Sequence, residues 1–184
     1  MTLSYNRKRK IAWIVTISVI ILSVIILGSW KLGIQRESVQ DYFYNGEDGF
    51  SIKNDIVVRT ECAYNLLTIA KRTSQNKESI ELLKEAVCQV EYAMTVQEYY
   101  AANQTLKFAF DILYAEIQVS NIEENDKLLA AKQADEFTSR EKTIQRNEYN
   151  EKALQYNTEA SKFPANILAF LSGTDQLELF RNGG

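Results

Sequence analysis

The chain has 184 residues, with 21 Lys and Arg, 24 Asp and Glu, no His, and a formal net charge of −3. That length fits one domain with a targeting element better than two large enzyme domains. The absence of His removes the Glu-x-x-His ligands of di-iron bundles, Ser-His and Cys-His nucleophilic pairs and most catalytic zinc sites. The acidic balance also disfavours nucleic acid, whose phosphates are bound by clustered Lys and Arg.

Residues 1–10 form a basic amino terminus, with Arg7-Lys8-Arg9-Lys10 and no acid, and Ile11 to Trp30 follows as twenty residues without a formal charge. Twenty residues at about 1.5 Å each cross roughly 30 Å of hydrocarbon, so residues 11–30 are expected to be one transmembrane helix. The span runs from Ile11 through Leu22 near its middle to Trp30, and holds seven Ile, three Val and two Leu. At roughly −0.3 to −0.6 kcal/mol each, these supply about −4 to −7 kcal/mol toward insertion, more than scattered Ser and Thr cancel. Trp13 and Trp30 sit near the two ends, where indole rings prefer the headgroup region. A cleaved signal peptide would have a shorter apolar stretch ending at a small-x-small site, and Gly28-Ser29-Trp30-Lys31 is a poor version of one. No Cys follows for a lipoprotein anchor.

Four bases precede the span and only Lys31 and Arg36 follow it closely. The positive-inside rule therefore places the amino terminus in the cytoplasm and the rest outside, at the cell membrane. Attraction of Arg7 to Lys10 to acidic lipid, about 1 kcal/mol per charge near the surface, is secondary. Beyond the span 17 bases face 24 acids, a net of −7.

Residues 31–51 read as a juxtamembrane helix and a turn, the turn falling in "YNGEDGFS", residues 44 to 51, with Gly46 and Gly49 flanking two acids. The bundle domain spans 52–184. From Ile52 to Arg72, Ile52, Ile56, Ala63, Leu67 and Ala70 recur near the helical period, while Arg59, Glu61, Lys71 and Arg72 are assigned to water. The polar connection "TSQNKE" offers Ser74 or Asn76 as a cap, with Glu78 near the positive end of the next helix.

That next helix is expected to run unbroken from Lys77 to Val119. One stripe is Ile80, Leu83, Val87, Val90 and Met94, and a second is Leu106, Phe110, Leu113 and Ile117. A strict seven-residue series passes through Ala101, Phe108 and Ala115, with Gln97, Gln104 and Asp111 at the partner positions. A straight helix drifts about 20° per heptad, so the buried face is expected to rotate along such a length, which would turn the Gln and Asp positions outward. Tyr99-Tyr100 reads as helix packing or as an exposed recognition pair.

Ser120-Asn121 interrupts, and Ile122 opens a helix that continues through Leu129, Phe137 and Ile144. Then Tyr149, Ala153, Tyr156, Ala160 and Phe163 mark one helical face, on which two Tyr-Asn pairs stand seven residues apart. Asn150 and Asn157 cost several tenths of a kcal/mol each in helix propensity. Side-chain pairing or polar layers at a helix interface are expected to offset this. Phe163-Pro164 is expected to end the helix, and Ala165 to Leu171 forms a short apolar one. No stretch alternates long enough for a strand. The fold class is all-α: one amino-terminal transmembrane helix, then an antiparallel bundle of long helices.

"RNEYNEKALQYNTEASKFPANILA", residues 146 to 169, resembles the carboxy-terminal signature of the LemA family, in Arg146, the pairs Tyr149-Asn150 and Tyr156-Asn157, and Phe163-Pro164. "RTECAYNLLTIAK" at 59 to 71 resembles its first-helix segment and "ANQTLKFAFDILYAEI" at 102 to 117 its middle helix. Two positions depart from the pattern: Tyr64 stands where the family usually has Pro, and Ser120-Asn121 replaces its Tyr-Pro turn. The resemblance implies an envelope-associated helical bundle of bacterial type without a settled biochemical activity.

No Gly-rich phosphate loop, G-x-S-x-G or kinase-like set occurs, so no enzyme, cofactor or metal is expected. Cys62 and Cys88 lie equally far from residue 75, the turn of a hairpin between the helix at 52–72 and the one after it, and would face each other there. They read either as a disulfide, which needs Cα atoms roughly 4.4 to 6.8 Å apart, or as two buried thiols. The expected function is a non-catalytic, single-pass envelope protein. Its partners would be the bilayer through residues 11–30 and an unidentified membrane or envelope protein, including a second copy. The alternative is a sensory bundle with Gln97, Gln104 and Asp111 lining a small-ligand pocket and a partner protein relaying the signal. Cavity-facing side chains favour sensing; solvent-facing ones favour scaffolding.

Overall fold

The computed structural model describes residues 5–46, 50–73 and 76–181, and every regular element among them is an α-helix. In chain order these are α1 (Tyr5–Tyr44), α2 (Ile52–Arg72), α3 (Lys77–Tyr92), α4 (Val96–Val119), α5 (Glu124–Arg146), α6 (Tyr149–Ala160) and α7 (Ala165–Ser172). The chain divides into two compact units. One comprises Met1–Ser38 with Gln155–Leu177, the other Val39–Leu154 with Glu178–Gly184.

In the first unit the apolar stretch of α1 is long and apolar enough to cross a membrane, and none of it is buried. A core helix of a soluble domain would be mostly covered; Ile11, Trp13, Leu22 and Trp30 are all exposed. Leu168 of α7 lies against Gly28, where an added Cβ would sit 2.5 Å from the Leu168 Cδ1. The C-terminal part of α6 also belongs here. It ends at Ala160, so Phe163 does not complete the expected apolar face and is exposed. α7 stops at Gly173, whose φ of 63° suits a residue without Cβ, and Thr174 N–H donates to the Ala169 carbonyl.

The second unit is a helical bundle. α1 enters it without interruption and closes on Gly46, which accepts φ 63° and donates to Asp41 O. A Cβ there would fall 2.4 Å from the Phe50 carbonyl oxygen, so sterics and backbone angle both require Gly. The expected turn lies here, although residues 47–49 are outside the described residues. Ser51 then caps α2, accepting from Asn54 N–H at 3.1 Å while its hydroxyl donates to Tyr44 O.

Asn76 caps α3 through Glu78 N–H, as one of the two candidates predicted; Ser74 lies outside the described residues. The single helix expected over 77–119 is two. The break is Ala93 to Thr95, and Thr95 with Glu98 forms a capping box: Glu98 N–H donates to Thr95 Oγ1 and Thr95 N–H donates back to the Glu98 carboxylate. Met94, expected on the buried stripe, falls in this break and is exposed. A second break separates α5 from α6, where Asn147 Oδ1 accepts from Tyr149 N–H at 2.9 Å.

Polar pairs give the direction of packing. Asp55, Asn65 and Arg72 on α2 meet Arg140, Gln133 and Asp126 on α5, so these helices are antiparallel. Tyr64 meets Glu91 on α3, and Ser79 on α3 meets Glu116 on α4. Between them lies a core of Ile52, Ile56, Leu66, Leu83, Leu106, Phe110, Leu113 and Ile117, each almost fully removed from water. Burial at that level contributes about 1.5–3 kcal/mol per side chain.

Candidate functional site

Three features stand out: a buried charge cluster, a clamped carboxy-terminal tail, and an exposed stripe on α4. The charge cluster corrects the sequence reading, which sent Arg59 to water. Arg59 is 0% exposed. Its Nη1 donates to Asn103 Oδ1 on α4 and lies 2.5 Å from Glu141 Oε2 on α5. The guanidinium carbon stands 4.0 Å over the centroid of Phe137, which stacks on Phe110 at 4.0 Å and 10°. One turn away, buried Asp55 accepts from Arg140, which also binds Glu136.

Burial pulls the Arg59 pKa down, and Glu141 pushes it back; an arginine keeps its charge in either case. Burial raises the Asp55 carboxyl, against the opposing pull of Arg140. The cluster joins α2, α4 and α5 at one register. The signal was present in the sequence, since Ile52, Ile56, Arg59, Ala63, Leu66 and Ala70 form one continuous i, i+3/i+4 series with Arg59 in its centre.

The Tyr-Asn repeat has an equally local explanation, but in neither expected form. In the second unit the Asn150 side chain donates to Phe180 O at 2.9 Å and accepts from Phe180 N–H at 2.7 Å. In the first unit Asn157 does the same to Leu177, at 2.8 and 2.7 Å. Each amide thus reads both backbone groups of one tail residue. The partner in each case is the backbone of the tail, which is not helical there, and not another helix.

Other contacts finish the clamp. Tyr149 is buried, as expected of the apolar stripe, and its hydroxyl donates to Glu178 O at 2.7 Å. Glu178 in turn accepts from Gln97 N–H at the start of α4, where a carboxylate complements the helix dipole. Phe180 packs against Phe43 and Tyr100, with centroids 5.8 and 5.3 Å apart. Tyr99 also packs on Phe43, so Tyr99-Tyr100 is packing. In the first unit Arg36 Nε donates to Asp175 O, and Tyr156 is buried, which pushes its phenol upward. Arg146 and Pro164 are exposed.

The remaining predicted residues are dispersed. Both thiols are free, Cys62 buried and Cys88 exposed, so they do not point into a common interior and the disulfide is not formed. Gln97, Gln104 and Asp111 face solvent, and Asp111 accepts from Lys107. With Ala101, Phe108 and Ala115, also exposed, they form one stripe at alternating intervals of four and three. The Gln and Asp positions therefore lie outward, as the rotation of the buried face implied, although the helix that carries them starts at Val96 and not at Lys77.

The fold and the clamp define an all-helical protein with a candidate membrane-spanning helix and a bundle into which its own tail is bound. A family model described as the LemA family matches residues 50–183, and the chain belongs to the LemA family. No match is found among curated proteins.

Proposed function

We propose that this is a non-catalytic, single-pass protein of the cell envelope. Residues 11–30 anchor it, the amino terminus stays in the cytoplasm, and the outward-facing bundle binds other envelope proteins or a second copy of itself. The observation that carries the binding role is the exposed heptad stripe on α4. Ala101, Phe108 and Ala115 at one position and Gln97, Gln104 and Asp111 at the other have the spacing of a helix seam without a partner helix, and Phe108 is 63% exposed. The same exposure counts against the sensory alternative, which needs those three polar side chains around a ligand.

A photo-crosslinking amino acid at Phe108 or Gln104, in the full chain in its native membrane, is expected to give discrete adducts that the same group at Gln89 on α3 does not. No adduct at either α4 position, with a monomeric detergent-solubilised protein, would remove the scaffold reading. Orientation has an intrinsic reporter in exposed Cys88. A membrane-impermeant maleimide should label it in intact cells, and labelling only after lysis would reverse the topology.

A further inference from the structure

The helix α7 buries none of its residues. Ile167, Phe170 and Leu171, at i, i+3 and i+4, form one apolar face, and Phe170 is 85% exposed. Residues 163 to 174 carry no formal charge, and α7 contains only Ala, Asn, Ile, Leu, Phe and Ser. An eight-residue helix with such a face in water has neither the length nor the covering that keeps short helices folded.

What covers it is indicated by its place in the first unit. Leu168, which borders that face one turn before Leu171, packs on Gly28 of α1. Gly28 is two residues before Trp30, about 3 Å along the axis, at the level where hydrocarbon gives way to headgroups if residues 11–30 span the bilayer. Eight residues make about 12 Å of helix, far too little to cross but suited to lying at that boundary. Exposed Lys31 and Lys162 flank the two segments with positive charge, which suits lipid phosphate.

We propose that α7 is a second membrane-contacting element, an interfacial helix seated beside the C-terminal end of the span with Ile167, Phe170 and Leu171 in the acyl region. The partner is a lipid surface, and the inference rests on the anchor reading of residues 11–30. α6 would then be fixed near the membrane at its C-terminal end by α7, as α1 is by its span.

The test uses the full chain with Cys62→Ala and Cys88→Ser, reconstituted in phosphatidylcholine vesicles. Single cysteines carry an environment-sensitive fluorophore at Leu22, Gln89 or Phe170, and Ile167→Cys reads the same face should Phe170→Cys fail to fold. At Phe170, lipid-borne nitroxide close to the headgroup is expected to quench at least about twofold more than nitroxide at the chain end, with little effect of aqueous iodide. Leu22 should show the reverse depth preference, and Gln89 should respond to iodide alone. Iodide quenching at Phe170 would overturn the inference, as would silence to both quenchers, which would mean that protein covers this face. If Leu22 also escapes the lipid quenchers, the anchor itself is wrong, a result distinct from failure of α7 alone.

Discussion

At the scale of single residues, the molecule uses side-chain amides where regular structure cannot supply a partner. Asn150 satisfies both backbone groups of Phe180, and no other residue type of similar size offers a donor and an acceptor in that geometry. Asn150→Ala should therefore destabilise the protein by about 1–3 kcal/mol. Asn150→Asp keeps the acceptor but sets a carboxylate against the Phe180 carbonyl. Its thermal midpoint should lie below wild type at neutral pH and partly recover on acidification toward about pH 4, as the protonated acid regains a donor. A pH-independent defect in Asn150→Asp would mean that the amide–backbone pairing does not hold the tail.

Arg59 is the other decisive residue. Arg59→Met should cost about 3–5 kcal/mol in denaturant unfolding, because it leaves Glu141 charged and uncompensated. Adding Glu141→Leu should recover much of that loss, since replacing a whole buried pair by apolar side chains is often neutral. Equal loss in single and double variants would contradict the paired-charge account.

At the scale of elements, helix class, apolar faces and several helix ends, at Ile52, Arg72, Lys77, Val119 and Ala165, were legible, while the break inside the longest predicted helix was not. Ile52 to Ala70 and Leu106 to Ile117 follow a period that burial alone explains, and those residues are buried. The break inside 77–119 was missed because the stripe through Val90 seemed to continue to Met94, although Thr95-Val-Gln-Glu98 has the spacing of a capping box. Arg59 was placed in solvent by its charge despite its position in the buried series. The tail clamp was not legible, because a pairing between a helix and an extended segment twenty or thirty residues away leaves only the odd Asn pair as a trace.

The capping box carries a pH prediction. Backbone donors from Met94 and Thr95 hold the Glu98 carboxyl below its ordinary 4.5. A lowered folded-state value means the contribution is present above the unfolded value and is lost as the pH falls below 4.5 through the folded one. Wild type should lose stability over that interval more steeply than Glu98→Gln in thermal melts. Thr95→Ala should cost about 1 kcal/mol; a neutral Thr95→Ala would mean that the break at 93–95 is set by something other than the cap.

At the scale of the whole molecule, the components form a consistent division of labour. The amino-terminal stretch has the composition of a lipid-embedded helix, and none of its apolar window is buried. The bundle is held in register by Arg59 and its partners, its carboxy-terminal segment from Glu178 is read by Asn150 and Tyr149, and α4 offers a heptad stripe to solvent. Under the proposed function the output of that arrangement is contact with neighbours at the membrane.

The most direct measurement is alkaline carbonate extraction of membranes containing the untagged protein, followed by intact-mass determination of each fraction. The account predicts a chain that still carries residues 11–30, retained in the membrane pellet. Full-length protein in the supernatant, or a chain shortened by about its first thirty residues, would contradict a permanent lipid anchor.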